Sequence, residues 1–281
     1  MFLRKIFHKI KIAFARRNGK RIPYVPPEKR YGNFGEEAFV ARLKRLLPEC
    51  DIKTNVVIES PRGIAEIDCV ILYNNKLFAV EIKSLKGKII ECSDGLVKEK
   101  TDVWTGETHV KYMKSPFRQL NRAIYLLKNQ TESEAWINPI VFFESDGLEI
   151  LIGRDNVWFD NISELARYLE YDGRRSSPYA AAELFKECVA ADCLYDYESG
   201  RELKCVISDD SLEFIRGAGA LSRENILEIH IRHRLTYDEL SISTADGEYK
   251  VREENAAIRV RADGITTEYS LNRLDRIVLG K

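Results

Sequence analysis

Apolar runs broken by turn residues predict a strand-rich core in the first two thirds of the chain. Residues 66–84, EIDCVILYNNKLFAVEIKS, place two apolar runs on either side of Asn74-Asn75. Because Asn accepts the positive φ angles of a two-residue hairpin turn, this stretch predicts a β-hairpin. Tyr73 then pairs with Lys76, and each further pair steps outward by one residue on either side.

Charged residues interrupt these apolar runs on one face of the predicted hairpin. In the register set by the turn, Asp68 lies directly opposite Glu81, and Glu66 lies opposite Lys83. Strand alternation places these four side chains on one face, and it points four apolar ones to the other: Cys69, Ile71, Val80 and Ile82. Opposed carboxylates repel each other, and a divalent cation held between them removes that cost. The alternative is an edge hairpin with a solvated polar face, in which Glu66 and Lys83 form a weak surface pair.

The surrounding pattern predicts helices and strands in an order typical of an α/β core. An amphipathic helix is expected over residues 34–47, with Glu36 at the N-terminal end of its core-facing side. As an acid in the first turn, Glu36 is equally explained by a capping role. Ser115-Pro116 is a strong signal for a helix start. The other expected elements are strands at 53–59, 139–143 and 157–159, further short strands between 87 and 112, and helices at 116–129, 162–171 and 178–190.

The two ends of the chain differ in character from this core. Residues 1–30 contain ten Lys or Arg and one acid, so they carry a net charge of +9, and the neutral chain leaves −9 for the rest. Helical periodicity in this arm suggests a basic amphipathic helix, followed by a proline-rich linker at 23–30 that should not be helical. The helix would bind a membrane surface or a polyphosphate, or else dock on the body of the protein. From about residue 195, alternating runs separated by Asp-Gly turns predict a smaller β-rich domain over 195–281.

Composition narrows the class of protein without naming a function. The 281 residues are 44% hydrophobic and 31% charged, as expected for a soluble globular protein, and no apolar run approaches the roughly 20 residues of a membrane span. Six scattered cysteines without a C-x-x-C pair indicate reduced thiols and a cytoplasmic location. The three tryptophans, Trp104, Trp136 and Trp158, are expected to pack in the core or between domains and not to stack on bases.

Taken together, several motifs resemble the nuclease-related domain (NERD) of the PD-(D/E)xK nuclease superfamily. The resemblance covers about residues 31–175, and each motif is weak alone, whereas their order and spacing are fairly specific. They are Gly32-Asn-Phe-Gly-Glu36, Ile67-Asp68, Glu81-Ile82-Lys83, Lys86-Gly87, Trp104 and Ser115-Pro116-Phe117-Arg118-Gln119. The chain departs from the family pattern at Cys69, where the family often has His, and at Ser84, where it often has Asn.

The resemblance implies a restriction-endonuclease-like fold, a mixed sheet flanked by helices within residues 31–190, and a metal-dependent nuclease. Asp68 and Glu81 would hold Mg²⁺ or Mn²⁺, with the carbonyl of Ile82 as a further ligand. Lys83 would position the attacking water, Glu36 would complete the acidic cluster, and Gln119 would bind the phosphate or the lysine. The substrate would be DNA in preference to RNA.

Two alternatives stay open at this point. The chain outside the arm is acidic, which is unfavourable for gripping a polyanion, because affinity for nucleic acid comes largely from Lys and Arg. The domain would then be a catalytically inactive nucleic-acid-binding or scaffold module that keeps the fold. The basic arm would separately give the protein a peripheral contact with a membrane.

Overall fold

The structure is a computed structural model that describes residues 27–102, 104–144, 147–153, 156–196, 201–208, 212, 223, 225–233, 237–244, 247–253, 257–262 and 264–280. The chain divides into two compact units. Pro27–Val189 form the first, and the residues from Ala190 onward belong to the second. The predicted basic helix lies outside the described residues.

A mixed sheet forms the centre of the first unit. Its strands are β1 (Asp51–Ser60), β2 (Gly63–Tyr73), β3 (Lys76–Ser84), β7 (Ile137–Glu144) and β9 (Trp158–Phe159), and they lie in that order. The first three are antiparallel, whereas β7 runs parallel to both β3 and β9. The predicted mixed α/β architecture is therefore confirmed.

Helices cover both faces of this sheet. On one face, apolar residues of α1 (Pro27–Leu46) and α3 (Ile162–Tyr171), such as Phe39 and Leu165, pack with alternate residues of β2 and β3. On the other face, α2 (Pro116–Thr131) and α4 (Pro178–Glu187) pack against the intervening residues, including Val70 and Ala79. Each strand of the hairpin therefore has two buried faces, which explains its nearly continuous apolar character.

Serine-proline pairs begin two of these helices as the sequence predicts. Ser115 caps α2, and its Oγ accepts a hydrogen bond from the Arg118 amide at 3.3 Å. Ser177 caps α4 in the same way, through the Ala180 amide at 3.2 Å. A proline occupies the first turn of both helices, where its missing N–H costs nothing.

The start of α1 corrects one expectation. Residues 23–30 were expected to be a non-helical linker, but the helix begins at Pro27 and continues through Leu46. Proline disrupts a helix only in the interior, because the first-turn amides have no partner within the helix. Pro27 is thus compatible with the first helical position. The prediction was wrong because it treated this proline as one that ends a helix.

A second, smaller sheet of four strands completes the first unit. It contains β4 (Lys88–Cys92), β5 (Gly95–Thr101), β6 (Thr108–Lys114) and β8 (Glu149–Leu151), in the order β6-β5-β4-β8. Of these, β4, β5 and β6 are the short strands expected between residues 87 and 112. They are joined at Asp94-Gly95 and around Gly106, which has a φ of 71°. The two-residue strand β10 (Val189–Ala190) stands at the boundary of the two units.

The second unit is an antiparallel sheet of eight strands. They are β11 (Asp192–Asp196), β12 (Arg201–Ile207), β13 (Ile226–His233), β14 (Asp238–Thr244), β15 (Gly247–Glu253), β16 (Ala257–Ala262), β17 (Ile265–Ser270) and β18 (Leu274–Val278). Their order is β15-β14-β13-β18-β11-β12-β16-β17, with a short 3₁₀ helix at Leu271–Arg273. Its core is almost wholly aliphatic. Asp192 is fully buried there and accepts hydrogen bonds from the amides of Ile207 and Gly280 and from Arg223.

Candidate active site

The hairpin that carries the predicted acids has the expected turn and register. Asn74 and Asn75 have φ angles of 49° and 60°, the left-handed conformation that a two-residue turn requires. Five pairs follow, from Tyr73 opposite Lys76 to Cys69 opposite Val80. The face prediction is also right, because the apolar set of Cys69, Ile71, Val80 and Ile82 lies in the core beside α1 and α3.

Beyond Cys69 and Val80 the two strands part. β2 continues along β1 to its start at Gly63, whereas β3 continues along β7 to Ser84. The expectation that Asp68–Glu81 and Glu66–Lys83 are directly opposed ladder pairs was therefore wrong. A pairing that stops leaves a fork between the strands, and the predicted site residues lie at this fork.

Asp68 takes part in the fork through its side chain. Its Oδ2 accepts a hydrogen bond from the Ile82 amide at 2.7 Å, in place of a backbone acceptor from β2. Opposite Asp68 on the other side of β2 lies Asn55, whose φ of 50° interrupts the extended geometry of β1. Because the N–H and C=O of one strand residue face the same neighbouring strand, the Ile82 carbonyl also points into the fork.

Glu81 is the most strongly perturbed acid of the site. Its side chain is only 2% exposed, and Lys83 forms an ion pair with its Oε1. Burial, and then the negative charge of Asp68, raise the pKa of Glu81 to about 7, although Lys83 acts in the opposite direction. Near neutral pH, this carboxyl is therefore held between its protonated and ionised forms, as is common for groups that bind a cation or transfer a proton.

Helix α1 brings Glu36 to the same end of the sheet. A Cβ on Gly35 would lie 2.8 Å from the Ser84 Oγ and 2.9 Å from the Glu144 Oε2, so the helix approaches the ends of β3 and β7 very closely. The charges of Asp68 and Glu36 both help to raise the pKa of the buried Cys69 thiol, after the larger effect of burial. Glu36 and Asp68 are thus both close enough to this thiol to act on it.

With this geometry established, comparison with protein families gives one result. Residues 31–144 match the family model described as nuclease-related domain. The chain carries a nuclease-related domain. Searches of curated proteins and of solved structures found no match. The matched segment holds every predicted site residue: Glu36, Asp68, Glu81, Ile82, Lys83 and Gln119. None of the helices among the described residues has the length and apolar character needed to cross a bilayer.

Gln119 is less closely tied to the acids of the nuclease-related domain. It lies in the first turn of α2, where its amide donates to the Ser115 carbonyl at 3.1 Å, and its side chain is exposed. Among the described residues, no contact joins that side chain to Asp68, Glu81 or Lys83. The structure therefore places Gln119 on the helix that covers this face of the sheet, but outside the carboxylate cluster itself.

Glu144 is an acid of the domain that sequence analysis missed. It ends β7 beside Ser84 and forms an ion pair with Arg42 of α1, while its Oε2 is buried and has no hydrogen-bond partner among the residues that the structure describes. Burial raises its pKa, and Arg42 partly offsets the effect. The available signal was an acid at the end of the apolar run Pro139-Ile-Val-Phe-Phe143, the kind of position that brings polar groups to a sheet edge.

The donors at the fork fit a hard cation better than a zinc ion. Within the described part of the chain, no three His, Cys, Asp or Glu side chains are grouped as metal ligands. Structural zinc sites need such a group, whereas Mg²⁺ is commonly bound by one or two carboxylates together with water and substrate phosphates. Asp68, Glu81 and the Ile82 carbonyl are oxygen donors of this kind. Burial and then the charge of Asp68 raise the pKa of Glu81, and a bound cation would favour its ionised form.

Proposed function

We propose that the nuclease-related domain is a restriction-endonuclease-like, metal-dependent nuclease that hydrolyses phosphodiester bonds of DNA. The observation that carries this proposal is the fork between β2 and β3. It holds Asp68 against the Ile82 amide and buries Glu81 beside Asp68, in an ion pair with Lys83. Such a concentration of acids costs stability and is explained by a bound cation.

Mg²⁺ or Mn²⁺ would be held by Asp68, Glu81 and the Ile82 carbonyl. When bound, such an ion neutralises charge on the phosphodiester and lowers the pKa of a coordinated water. Side chains of the protein supply the rest of the chemistry. Lys83 positions the attacking water and, once Glu81 is engaged elsewhere, offers its ammonium to the negative charge that develops on the phosphoryl oxygens. Glu36 completes the acidic cluster, and Gln119 binds a phosphate of the substrate.

Cleavage assays with matched variants test this proposal. Plasmid, single-stranded DNA and RNA would be incubated with the full chain and Mg²⁺ or Mn²⁺, and with Asp68→Ala, Asp68→Asn and Lys83→Met. Asp160→Ala is the control, because Asp160 is an exposed acid of the same unit outside the fork. The control should cut like wild type and the three site variants should lose at least about 100-fold in rate. Equal cutting by Asp68→Ala and wild type would refute the assignment.

A second candidate function is binding without cleavage. It is favoured by the ion pair between Lys83 and Glu81, which occupies two groups that catalysis would need, and by the acidic character of the chain outside residues 1–30. This function predicts association with nucleic acid that depends on the basic arm and no product at any metal concentration. Cleavage that survives removal of residues 1–26 would exclude it.

A further inference from the structure

The hairpin of β5 and β6 extends beyond the core of the nuclease-related domain. At its base, Leu96 and the opposing Met113 pack with Phe117 and Phe143. Farther out, β6 has no buried residue, and all of its side chains except Met113 are exposed. A strand normally buries at least one face. This ribbon therefore presents both faces to its surroundings, and stability of the core does not explain its length.

One face of the ribbon carries three lysines, two of them directly opposed. Lys98 lies directly across from Lys111, and Lys100 lies across from His109. By strand alternation, all four share the face of Leu96 and Met113. Like charges at directly opposed positions destabilise a sheet. Within the described part of the chain, no carboxylate forms an ion pair with the lysines of this face, although Lys100 is near enough to Asp102 to help lower its pKa. A polyanion would add the direct partners that these lysines lack.

The tip of the ribbon holds an aromatic side chain outward. Trp104 is 95% exposed, so the expectation that it packs in the core was wrong. The Asp102 carboxylate accepts hydrogen bonds from the amides of Trp104 and Thr105 at 2.8 and 2.9 Å, and these bonds lower its pKa. The Asp102 backbone also bonds to Gly106 and Glu107. These bonds fix the backbone of the turn at Trp104, while its side chain stays exposed.

Short segments of chain join the base of the ribbon to elements of the candidate active site. The strand β4, which pairs with β5, begins four residues after Ser84, where the site-bearing β3 ends. Strand β6 runs directly into the Ser115 cap of α2, the helix that carries Gln119. At about 3.3 Å per residue, the seven residues of β5 place Trp104 roughly 20 Å from that base. This length is enough to contact several nucleotides of a nucleic-acid chain.

We propose that the β5–β6 ribbon grips a single-stranded or unwound segment of nucleic acid. Lys98, Lys100 and Lys111 contact its phosphates, and Trp104 stacks on an unpaired base. This inference rests on the proposed nuclease function and adds the form of the substrate. A membrane surface is the weaker partner. It would meet the tip, where the acids Asp102 and Glu107 flank Trp104, whereas a nucleic-acid chain can run along the strands, where the lysines lie.

Binding measurements in EDTA separate this grip from cleavage. Fluorescence anisotropy with a labelled single-stranded oligonucleotide would compare the full-length wild type with Trp104→Ala, Trp104→Phe and a triple lysine variant. The triple variant is Lys98→Ala, Lys100→Ala and Lys111→Ala. Its charge-matched control removes three cations from helices of the same unit: Lys128→Ala, Arg167→Ala and Lys186→Ala. Because residues 1–30 are present in every variant, their contribution to binding is the same in each and cancels in the comparison.

The triple lysine variant should bind at least about 10-fold more weakly. A plot of log binding constant against log salt concentration should have a slope that is less steep by about 2, because each phosphate contact with single-stranded DNA contributes about 0.7 to that slope. Trp104→Ala should bind roughly 5- to 100-fold more weakly, Trp104→Phe should recover most of that loss, and the control should match wild type. Addition of oligonucleotide should also reduce acrylamide quenching of wild-type tryptophan fluorescence, and less so in Trp104→Ala.

Three outcomes would overturn the inference, and they are distinguishable from failure of the proposed function. If wild type cuts DNA but both ribbon variants bind like the control, the ribbon does not grip the substrate and the nuclease assignment stands. Trp104-dependent flotation with phosphatidylserine vesicles, without oligonucleotide binding, would assign the ribbon to membranes. A wild type that neither binds nor cuts nucleic acid would overturn both proposals.

Discussion

Replacing Glu81 by Gln should make the metal-free protein more stable at pH 8, although it removes a charged group from the proposed site. The Glu81 side chain is 2% exposed, and burial together with Asp68 raises its pKa from 4.5 to about 7. One pKa unit corresponds to about 1.36 kcal/mol, so ionised Glu81 destabilises the folded state by about 3 kcal/mol. Glutamine keeps the shape and an acceptor for Lys83 but carries no charge.

The sign of this effect depends on pH. A folded-state pKa above the unfolded value means that the folded protein binds the proton more tightly, so the contribution is fully favourable below about pH 4. It is lost as the pH rises through about 7. The difference between Glu81→Gln and wild type should therefore be near zero at pH 4 and reach about 3 kcal/mol at pH 8, or roughly 6–12 °C in melting temperature for a unit of this size.

Thermal and urea unfolding in EDTA at several pH values would measure the difference. Glu66→Gln is the matched control, because Glu66 is the least of the causes that raise the Glu81 pKa, and its own removal should change stability little. Mg²⁺ added at pH 8 should stabilise wild type and leave Glu81→Gln unchanged. A Glu81→Gln protein that is no more stable than wild type at pH 8, or equally stabilised at pH 4, would refute the reasoning.

Substitutions at three further positions test other parts of the structure. Gly35→Ala would place a Cβ 2.8 Å from the Ser84 hydroxyl and 2.9 Å from the Glu144 carboxylate, so these side chains must move beside Glu36, and the cleavage rate should fall about 10-fold in a plasmid assay while the fold persists in circular dichroism. Asn75→Gly should keep or slightly raise the melting temperature, whereas Asn75→Val should cost about 1–2 kcal/mol in urea unfolding, because φ is 60° there. Asp192→Ala would leave the Arg223 guanidinium without its buried partner and should cost about 3–5 kcal/mol, measured as lost hydrogen-exchange protection in β11 and β12.

Elements specified by neighbouring residues could be predicted from the sequence. Asn74-Asn75 defines both the turn and the first five pairs of the hairpin, because a two-residue loop leaves one register. Ser115-Pro116 and Ser177-Pro178 define helix starts through caps that involve residues only three positions away. The Pro27 prediction failed for a related reason. Proline has opposite effects in the first turn and the interior of a helix, and the local sequence did not say which position it would occupy.

The geometry of the candidate site depends on partners that are distant in the sequence. Extrapolation from the turn carried the pairing through Asp68 and Glu81, but the strands part because β3 follows β7, about 60 residues later in the chain, while β2 follows β1. Trp104 was similarly misjudged, since its exposure depends on how far the ribbon extends past the packing of Leu96 and Met113. Motifs thus identified which residues matter, but not how they meet.

The fork itself gives a physical reason why these acids occupy a strand otherwise built for burial. In a continuous ladder, Asp68 and Glu81 would only repel each other, and the backbone groups of Ile82 would be paired with β2. Where the strands part, the Ile82 amide needs an acceptor, and the Asp68 carboxylate provides it at 2.7 Å. The same opening turns the Ile82 carbonyl toward the two acids. The end of the pairing thus converts an unfavourable cross-strand pair into a set of oxygen donors, and this is why the cation site is expected at the fork and not along the hairpin.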